Sequence, residues 1–252
     1  SLKIIYCKEN RILIHNLLNE FLSTGLMILF GVGVHCDDVL NKTKYHGSGH
    51  IFAITTWSFG ITACLFIFGG VCMNPAMALC QAILGIIPWS SFIPYTLAEF
   101  AGAFAGALLA YFMYADHFKA SEDTIDGVAT RNIFSTNPNL RNLPRNWMVE
   151  MIATTIFLSG ILAIVAKFEK FGFTPLLVGL LVWAIGMGLG GTTGFAMNQA
   201  RDLGPRLAYQ ILPIKNKANN DWQYGLIVPG TAPFAGAVLA AMFVKYFLKL
   251  TF

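Results

Sequence analysis

The stretch that decides the fold is Gly194-Phe195-Ala196-Met197-Asn198-Gln199-Ala200-Arg201-Asp202-Leu203-Gly204-Pro205-Arg206. It places two amides and three charged side chains in a strongly apolar half of the chain. A charged side chain at the centre of a bilayer costs at least about 2.5 kcal/mol, so its presence there points to a function. A shorter match, Asn74-Pro75-Ala76, lies in a similar setting in the other half. The chain therefore carries two Asn-x-Ala boxes.

Composition places the chain in a lipid bilayer. Apolar residues make up 56% of its 252 residues and charged residues only 12%, against about 25% charged in soluble proteins. Hydrophobic runs near the roughly 20 residues that cross a bilayer predict six transmembrane helices. These runs are 12–34, 51–69, 92–114, 147–166, 175–191 and 226–248. We interpret the first run as a retained helix, because it lacks the cleavage pattern of a signal peptide.

Other function classes find no support in the residue pattern. The five cysteines and five histidines have no metal-ligand or disulfide spacing. Lysines and arginines are scattered, so no nucleic-acid surface is predicted. No paired carboxylates or nucleophile–base arrangement indicates an enzyme. We expect no enzymatic activity, no cofactor, no metal and no nucleic-acid partner.

An internal repeat organises the chain. Three similarities recur in the same order in the two halves: residues 20–25 with 150–155, 74–76 with 198–200, and 98–103 with 232–237. Three spans in each half mean that the second half enters the membrane from the opposite side, so the repeat is inverted. We expect one membrane channel domain, 1–252, with halves at about 12–115 and 147–250 and a connector at 116–146.

Two short apolar pieces, 74–84 and 198–212, cannot cross the bilayer and follow glycine-rich stretches. Segments of this length are predicted to be re-entrant. Each would begin at its Asn, so two helix N-termini, each with partial positive charge, would meet near the midplane. The Asn amides could then donate to a passing hydroxyl while cations and protons are disfavoured. Pro75 suits a first helical turn, and Gln199 is a good helix former in the same position.

These residues resemble the aquaporin (major intrinsic protein) family, and within it the aquaglyceroporin branch that includes bacterial glycerol uptake facilitators. The resemblance covers nearly the whole chain. It implies an all-α membrane protein with six transmembrane helices plus two re-entrant half-helices, assembled as a homotetramer in the plasma membrane, the inner membrane of a bacterium. It also implies roles for particular residues: Asn74 and Asn198 at the pore midplane, Trp57, Gly186, Phe195 and Arg201 in a narrow selectivity filter, and Pro75, Ala76, Gln199, Ala200 and Asp202 in the half-helix boxes.

Two carboxylates, Glu20 and Glu150, are repeat mates inside predicted spans. They could be proton carriers, but the resemblance implies that each binds backbone N–H groups of a re-entrant loop. That role would also satisfy backbone groups that lipid cannot. The chain departs from the family at three positions: Gln199 stands for a proline, Cys72 for the usual histidine and Glu99 for a frequent glutamine. A thiol at position 72 would lie beside the pore, so thiol reagents should reduce flux.

Charge near the chain ends predicts the orientation. Lys3, Lys8 and Arg11 precede the first span, which favours cytoplasmic N- and C-termini. The resulting hypothesis is a passive channel for glycerol and similar small uncharged solutes, with some water. Aromatic side chains would pack the carbon backbone of a polyol while Arg201 binds its hydroxyls. Two alternatives remain: an ion- or proton-coupled secondary transporter, and a water-selective aquaporin.

Overall fold

The computed structural model describes the backbone of residues 2–252 and the side chains of residues 12–252. The side chains of Lys3, Cys7, Lys8 and Arg11, including the three on which the predicted orientation rests, lie outside this range. The described chain is helical, and its helices are α1 (Leu2–Val39), α2 (Gly49–Phe68), α3 (Pro75–Ile83), α4 (Trp89–Ser121), α5 (Gly127–Phe134), α6 (Leu143–Phe168), α7 (Thr174–Leu189), α8 (Gln199–Ile211) and α9 (Trp222–Met242). The predicted all-α membrane fold is confirmed.

Five helices, α1, α2, α4, α6 and α9, are long and apolar enough to cross a membrane. The fifth predicted span corresponds to α7, which has 16 residues. At 1.5 Å per residue this is about 24 Å, short of the roughly 30 Å of a hydrocarbon core. The helix stops at Leu189 because the glycine-rich stretch that follows turns the chain back toward the second Asn-x-Ala box.

The long helices pack as two similar groups. α1 lies against α4 and α6 against α9, while α2 lies against α7 across the halves. The contact of α1 with α4 depends on glycine, because a Cβ at Gly102 or Gly106 would overlap the backbone carbonyl of Phe21 or Gly25. In the second half a Cβ at Gly236 would lie 2.7 Å from the Met151 carbonyl oxygen. Small residues thus allow close helix contact in both halves, as membrane packing requires.

Between the halves, the predicted connector is largely helical. α4 continues to Ser121, and α5 follows after a short turn. Asp126 is the N-cap of α5, and its carboxylate accepts a hydrogen bond from the Ala129 N–H at 2.7 Å. It packs against α1 and α8. The hydrophobic periodicity did not predict α5, because its start depends on a single polar cap.

The two short helices lie between the halves. α3 contacts α9 and α4, and α8 contacts α4 and α9, so each is held by helices of both repeats. Large apolar side chains are exposed along the outside of the long helices, among them Phe112 at 77% and Leu97 at 64%. Such surfaces suit a lipid environment.

Candidate functional site

The asparagines of the two boxes cap the short helices. Asn74 Oδ1 accepts from the Ala76 N–H at 2.9 Å, and Asn198 Oδ1 accepts from the Arg201 N–H at 3.1 Å. Both residues have φ −162° and ψ 116°. The extended backbone and the side-chain oxygen are typical of an N-cap. The two helix starts therefore share one backbone conformation, although the capping oxygen binds the second residue of α3 and the third residue of α8.

The same two amides also bind the opposite loop. Asn74 Nδ2 donates to the Met197 carbonyl at 2.8 Å, and Asn198 Nδ2 donates to the Met73 carbonyl at 2.6 Å. A primary amide has two N–H donors. Each Asn uses one of them across the pair, so one N–H of each remains without a partner among the described residues.

Glu20 on α1 holds the loop before the first box. Its two carboxylate oxygens accept the N–H groups of Cys72 and Met73 at 2.7 and 2.8 Å. The carboxylate is buried at 2% exposure. Non-helical backbone at membrane depth is tolerated only where its polar groups are satisfied, and Glu20 satisfies two of them.

Glu150 on α6 does the same for the second loop. Its oxygens accept the N–H groups of Ala196 and Met197 at 3.0 and 2.8 Å. Met197 has φ 50° and its repeat mate Met73 has φ 53°, both in the left-handed region. This costly conformation turns the N–H of each Met toward a carboxylate while its carbonyl faces the other half's Asn.

Glu99, which sequence reasoning left without a partner, supports the first box. Its Oε1 accepts the Asn74 N–H at 3.0 Å, and its Oε2 has no partner in the described chain. Three side chains, those of Glu20, Cys72 and Glu99, could hold a cation. Each offers one ligand atom, and the three atoms lie within 4.8 Å of one another. A metal there would compete with the two N–H groups that Glu20 already binds.

Arg201 and Trp57 lie against each other and line the same cavity. The guanidinium carbon of Arg201 lies 4.2 Å from the centroid of the Trp57 ring. Arg201 is only 8% exposed, yet within the described chain its guanidinium makes no hydrogen bond. A buried guanidinium with five donors and no protein acceptor is available to a ligand.

Trp57 packs against α1 through two residues that were not predicted from the sequence. Its indole Nε1–H donates to His35 Nε2 at 3.2 Å. Gly31, one helical turn before His35 on α1, leaves room for the indole, because a Cβ there would overlap the ring. The i, i+4 spacing of Gly31 and His35 is the only signal in the sequence that places them on one face.

Phe195 has φ 41°, and its ring packs against α7. A Cβ at Gly190 would lie 2.5 Å from Phe195 Cδ1. A Cβ at Gly186 would lie 3.1 Å from Phe195 Cζ and 2.6 Å from Ile54 Cγ2. Gly186 itself does not line the cavity. Its small size makes room for the Ile54 side chain and, less tightly, for the Phe195 ring.

A single cavity of about 470 Å³ connects these groups. Arg201, Trp57 and Phe195 line it, as do Glu169 and Thr174. The rest of the wall is mainly apolar with a few polar groups, and it includes Met27, Ile61, Leu65, Cys72, Asn74, Gln81, Phe157, Val178, Val182 and Asn198. An apolar wall with a few well-placed polar groups is the usual form of a small-molecule site.

Asp202 lies outside the cavity and joins the second box to the connector. Its Oδ2 accepts from the Thr136 N–H at 2.8 Å, and its Oδ1 accepts from Arg206 Nε at 2.8 Å. Asp202 and Arg206 are both fully buried. Arg206 also donates to the Asn220 carbonyl at 2.6 Å. A buried ion pair is stabilising only when further hydrogen bonds satisfy it, as these do.

Inside the boxes, Ala76 and Ala200 have no exposed surface, and Pro75 occupies the first turn of α3. Gln199 occupies the corresponding place in α8 and is 1% exposed. Neither polar atom of its side chain has a partner among the described residues. Gln199 therefore fits its position poorly.

Two half-helices that meet end to end beside a lined cavity define a membrane channel. The Major intrinsic protein family model matches residues 8–244. The chain therefore belongs to the major intrinsic protein family, which confirms the resemblance found in the sequence.

Relatives and solved structures agree with this assignment. The chain is 65% identical to glycerol uptake facilitator protein 4 of Lactiplantibacillus plantarum, over 94% of this chain and 100% of that protein. It is 63% identical, with the same coverage, to the D/L-lactic acid transporter of that organism. A probable glycerol uptake facilitator of Thermotoga maritima is 42% identical, over 89% and 95% of the two chains. The X-ray structure of the aquaglyceroporin from Plasmodium falciparum superposes with a TM-score of 0.80 at 25% identity, covering 94% and 97% of the two chains.

Proposed function

We propose that the protein is a passive channel for glycerol and similar small uncharged solutes, with some conductance for water. The observation that carries this proposal is the arrangement of unused donors along one apolar cavity. Asn74 and Asn198 each keep one amide N–H, and Arg201 keeps its guanidinium donors. The names of several relatives, including one at 65% identity over nearly the whole chain, point to the same solute.

A polyol has hydroxyl groups and an apolar carbon backbone, and the cavity wall offers a partner for each. Its hydroxyl oxygens can accept from Arg201 and then from the two Asn amides in turn. Its carbon backbone can lie against the Trp57 and Phe195 rings, which offer apolar surface. We therefore assign the selectivity filter to Trp57, Phe195 and Arg201, with Gly186 as the residue that admits the Phe195 ring.

The same geometry disfavours cations and protons. The N-termini of α3 and α8 each carry partial positive charge, and Arg201 adds a full charge beside them. A cation in the cavity would meet these charges without a compensating acidic group in the filter. This favours passage of neutral molecules and counts against a cation-coupled transporter. We expect no enzymatic activity.

A second candidate solute is lactic acid in its uncharged form. The relative named as a D/L-lactic acid transporter is 63% identical over 94% of this chain. Neutral lactic acid resembles a small polyol in size and in its hydroxyl acceptors. Lactate anion would lose its hydration in an apolar cavity, so we expect the protonated acid to pass and flux to rise as pH falls.

Assembly and orientation complete the proposal. The family resemblance supports a homotetramer with one pore per subunit, in the plasma membrane. The basic residues ahead of the first span support cytoplasmic N- and C-termini.

Stopped-flow light scattering of proteoliposomes tests the proposal. Vesicles shrink in a sucrose gradient, which reports water flow, and shrink and then reswell in a glycerol gradient if glycerol enters. We expect fast reswelling with the wild type. Fast shrinkage without reswelling would instead mean a water-selective channel.

A pair of matched variants locates the filter. Arg201→Met removes the pore guanidinium and should lower the ratio of glycerol to water permeability. Arg141→Met removes a guanidinium that pairs with Asp221 at the surface and should leave the ratio unchanged. Equal ratios in the two variants would contradict the filter assignment.

A further inference from the structure

We propose that His35 is a positioning residue for solute selection, which acts by holding the Trp57 indole in place against Arg201. The inference rests on the proposed filter and extends it to a residue on α1 that does not line the cavity. Three contacts carry it: His35 with Trp57, Gly31 with Trp57, and Trp57 with Arg201.

The hydrogen bond has one possible direction. An indole Nε1–H can only donate, so His35 Nε2 must accept, and the imidazole proton must reside on Nδ1. The nitrogens are 3.2 Å apart, and the two ring centroids are 6.3 Å apart at an interplanar angle of 50°. This is a directed contact through ring nitrogens rather than ring stacking.

The bond decides what Trp57 presents to a solute. Trp57 is 5% exposed, and a buried indole N–H without an acceptor would cost free energy. With its N–H committed to His35, Trp57 offers only its ring surface to the cavity. The hydrogen-bond donors of the filter are then all on the Arg201 side. A solute needs one apolar and one polar side to fit, and a polyol has both.

The ring is also fixed in orientation. Gly31 leaves the space that the indole occupies on α1, and the Arg201 guanidinium lies over the other side at 4.2 Å from the centroid. Without the His35 bond, the buried N–H would be driven to find another acceptor. The nearest mobile acceptor in the pore is the solute or water, so the indole would turn and the apolar wall would be lost.

The test is a double-mutant cycle read as the ratio of glycerol to water permeability in proteoliposomes. His35→Leu removes the acceptor and should lower the ratio roughly two- to tenfold, the range that one net hydrogen bond spans. His35→Gln keeps an acceptor at a similar reach and should stay within about twofold of the wild type. In a Trp57→Phe background, which has no N–H, His35→Leu should cause no further change, because the coupling requires both partners.

His15→Leu is the matched control. It makes the same substitution on the same helix, where the ring is exposed and forms a hydrogen bond with Asn19, four residues away, and it should not change the ratio. Should His35→Leu fail to fold, His35→Asn replaces it in the cycle, since its shorter side chain cannot reach the indole.

Two results would overturn the inference: a ratio that His35→Leu leaves unchanged, or a shift of the same size in the Trp57→Phe background. Both are distinct from failure of the proposed function, in which the wild type itself passes no glycerol.

Discussion

Glu150→Gln isolates the contribution of a carboxylate to a re-entrant loop. The wild-type oxygens accept the N–H groups of Ala196 and Met197 at 3.0 and 2.8 Å, and the side chain has no exposed surface. A glutamine has one acceptor oxygen and one NH₂ group. One backbone N–H therefore keeps a neutral acceptor, and the other faces a donor.

The expected cost follows from these two changes. Replacing a charge-assisted bond by a neutral one loses about 1 kcal/mol. Leaving a buried N–H without an acceptor costs about 1–3 kcal/mol. Together they predict a loss of about 2–4 kcal/mol, or a fall in Tm of roughly 4–16 °C for a chain of this size. Glycerol flux should fall as well, because the Met197 carbonyl that orients Asn74 belongs to the same loop.

The assay is thermal unfolding of the purified protein in detergent, followed by glycerol flux of the folded fraction in proteoliposomes. Glu122→Gln is the matched control, since that carboxylate is partly exposed and pairs with Lys215 at 3.3 Å. An exposed pair is worth about 0–1 kcal/mol. If Glu150→Gln lowers Tm no more than Glu122→Gln and leaves flux intact, the loop does not depend on this carboxylate.

Three further changes have definite expected outcomes. Gln199→Pro should keep glycerol flux and raise Tm. The preceding Asn198 already has the extended backbone that a following proline requires, and the substitution removes a buried unpaired amide. A lower Tm would contradict this prediction. Burial by itself raises the pKa of the Asp221 carboxyl, but hydrogen bonds from Arg141 and the Tyr224 N–H, together with the charges of Arg141 and Arg131, outweigh it and hold the pKa below its usual range. The stabilisation is therefore complete above the unfolded pKa of about 3.9 and is lost as pH falls through the lower folded value. Asp221→Asn should lower stability by at most about 1 kcal/mol at neutral pH and by less at acid pH, as denaturation measured across pH would show; a difference that grows on acidification has the wrong sign. A small thiol reagent should reduce glycerol flux by modifying Cys72, the one described cysteine that lines the cavity. The Cys72→Ser variant should be resistant. Equal inhibition of both proteins would mean that the reagent modifies a different residue.

Much of the fold follows from patterns that the sequence displays directly. Apolar runs of spanning length and the repeated Asn-x-Ala boxes predict the helices and the two re-entrant elements, because both depend on local composition. Helix ends were less predictable. α4 runs on to Ser121, and α5 depends on the Asp126 cap, so neither is marked by hydrophobic periodicity.

The residues of the candidate site also fall into two groups, those predictable from local motifs and those that are not. Asn74, Asn198 and Arg201 stand in recognisable motifs, so they could be named from the sequence. His35, Thr136 and the partner of Glu99 could not, because each acts through a contact between residues far apart in the chain. Such contacts are set by tertiary packing, and a local spacing such as that of Gly31 and His35 does not identify the distant partner.

The central claim is that neutral solutes pass this pore passively. The most direct measurement is the level of radiolabelled glycerol inside proteoliposomes at equilibrium, with pH gradients and membrane potentials of either sign imposed. We predict that the internal concentration equals the external one under every condition, reached at a rate that hardly saturates. Accumulation of glycerol above the external concentration, driven by either gradient, would contradict it and would indicate a coupled transporter.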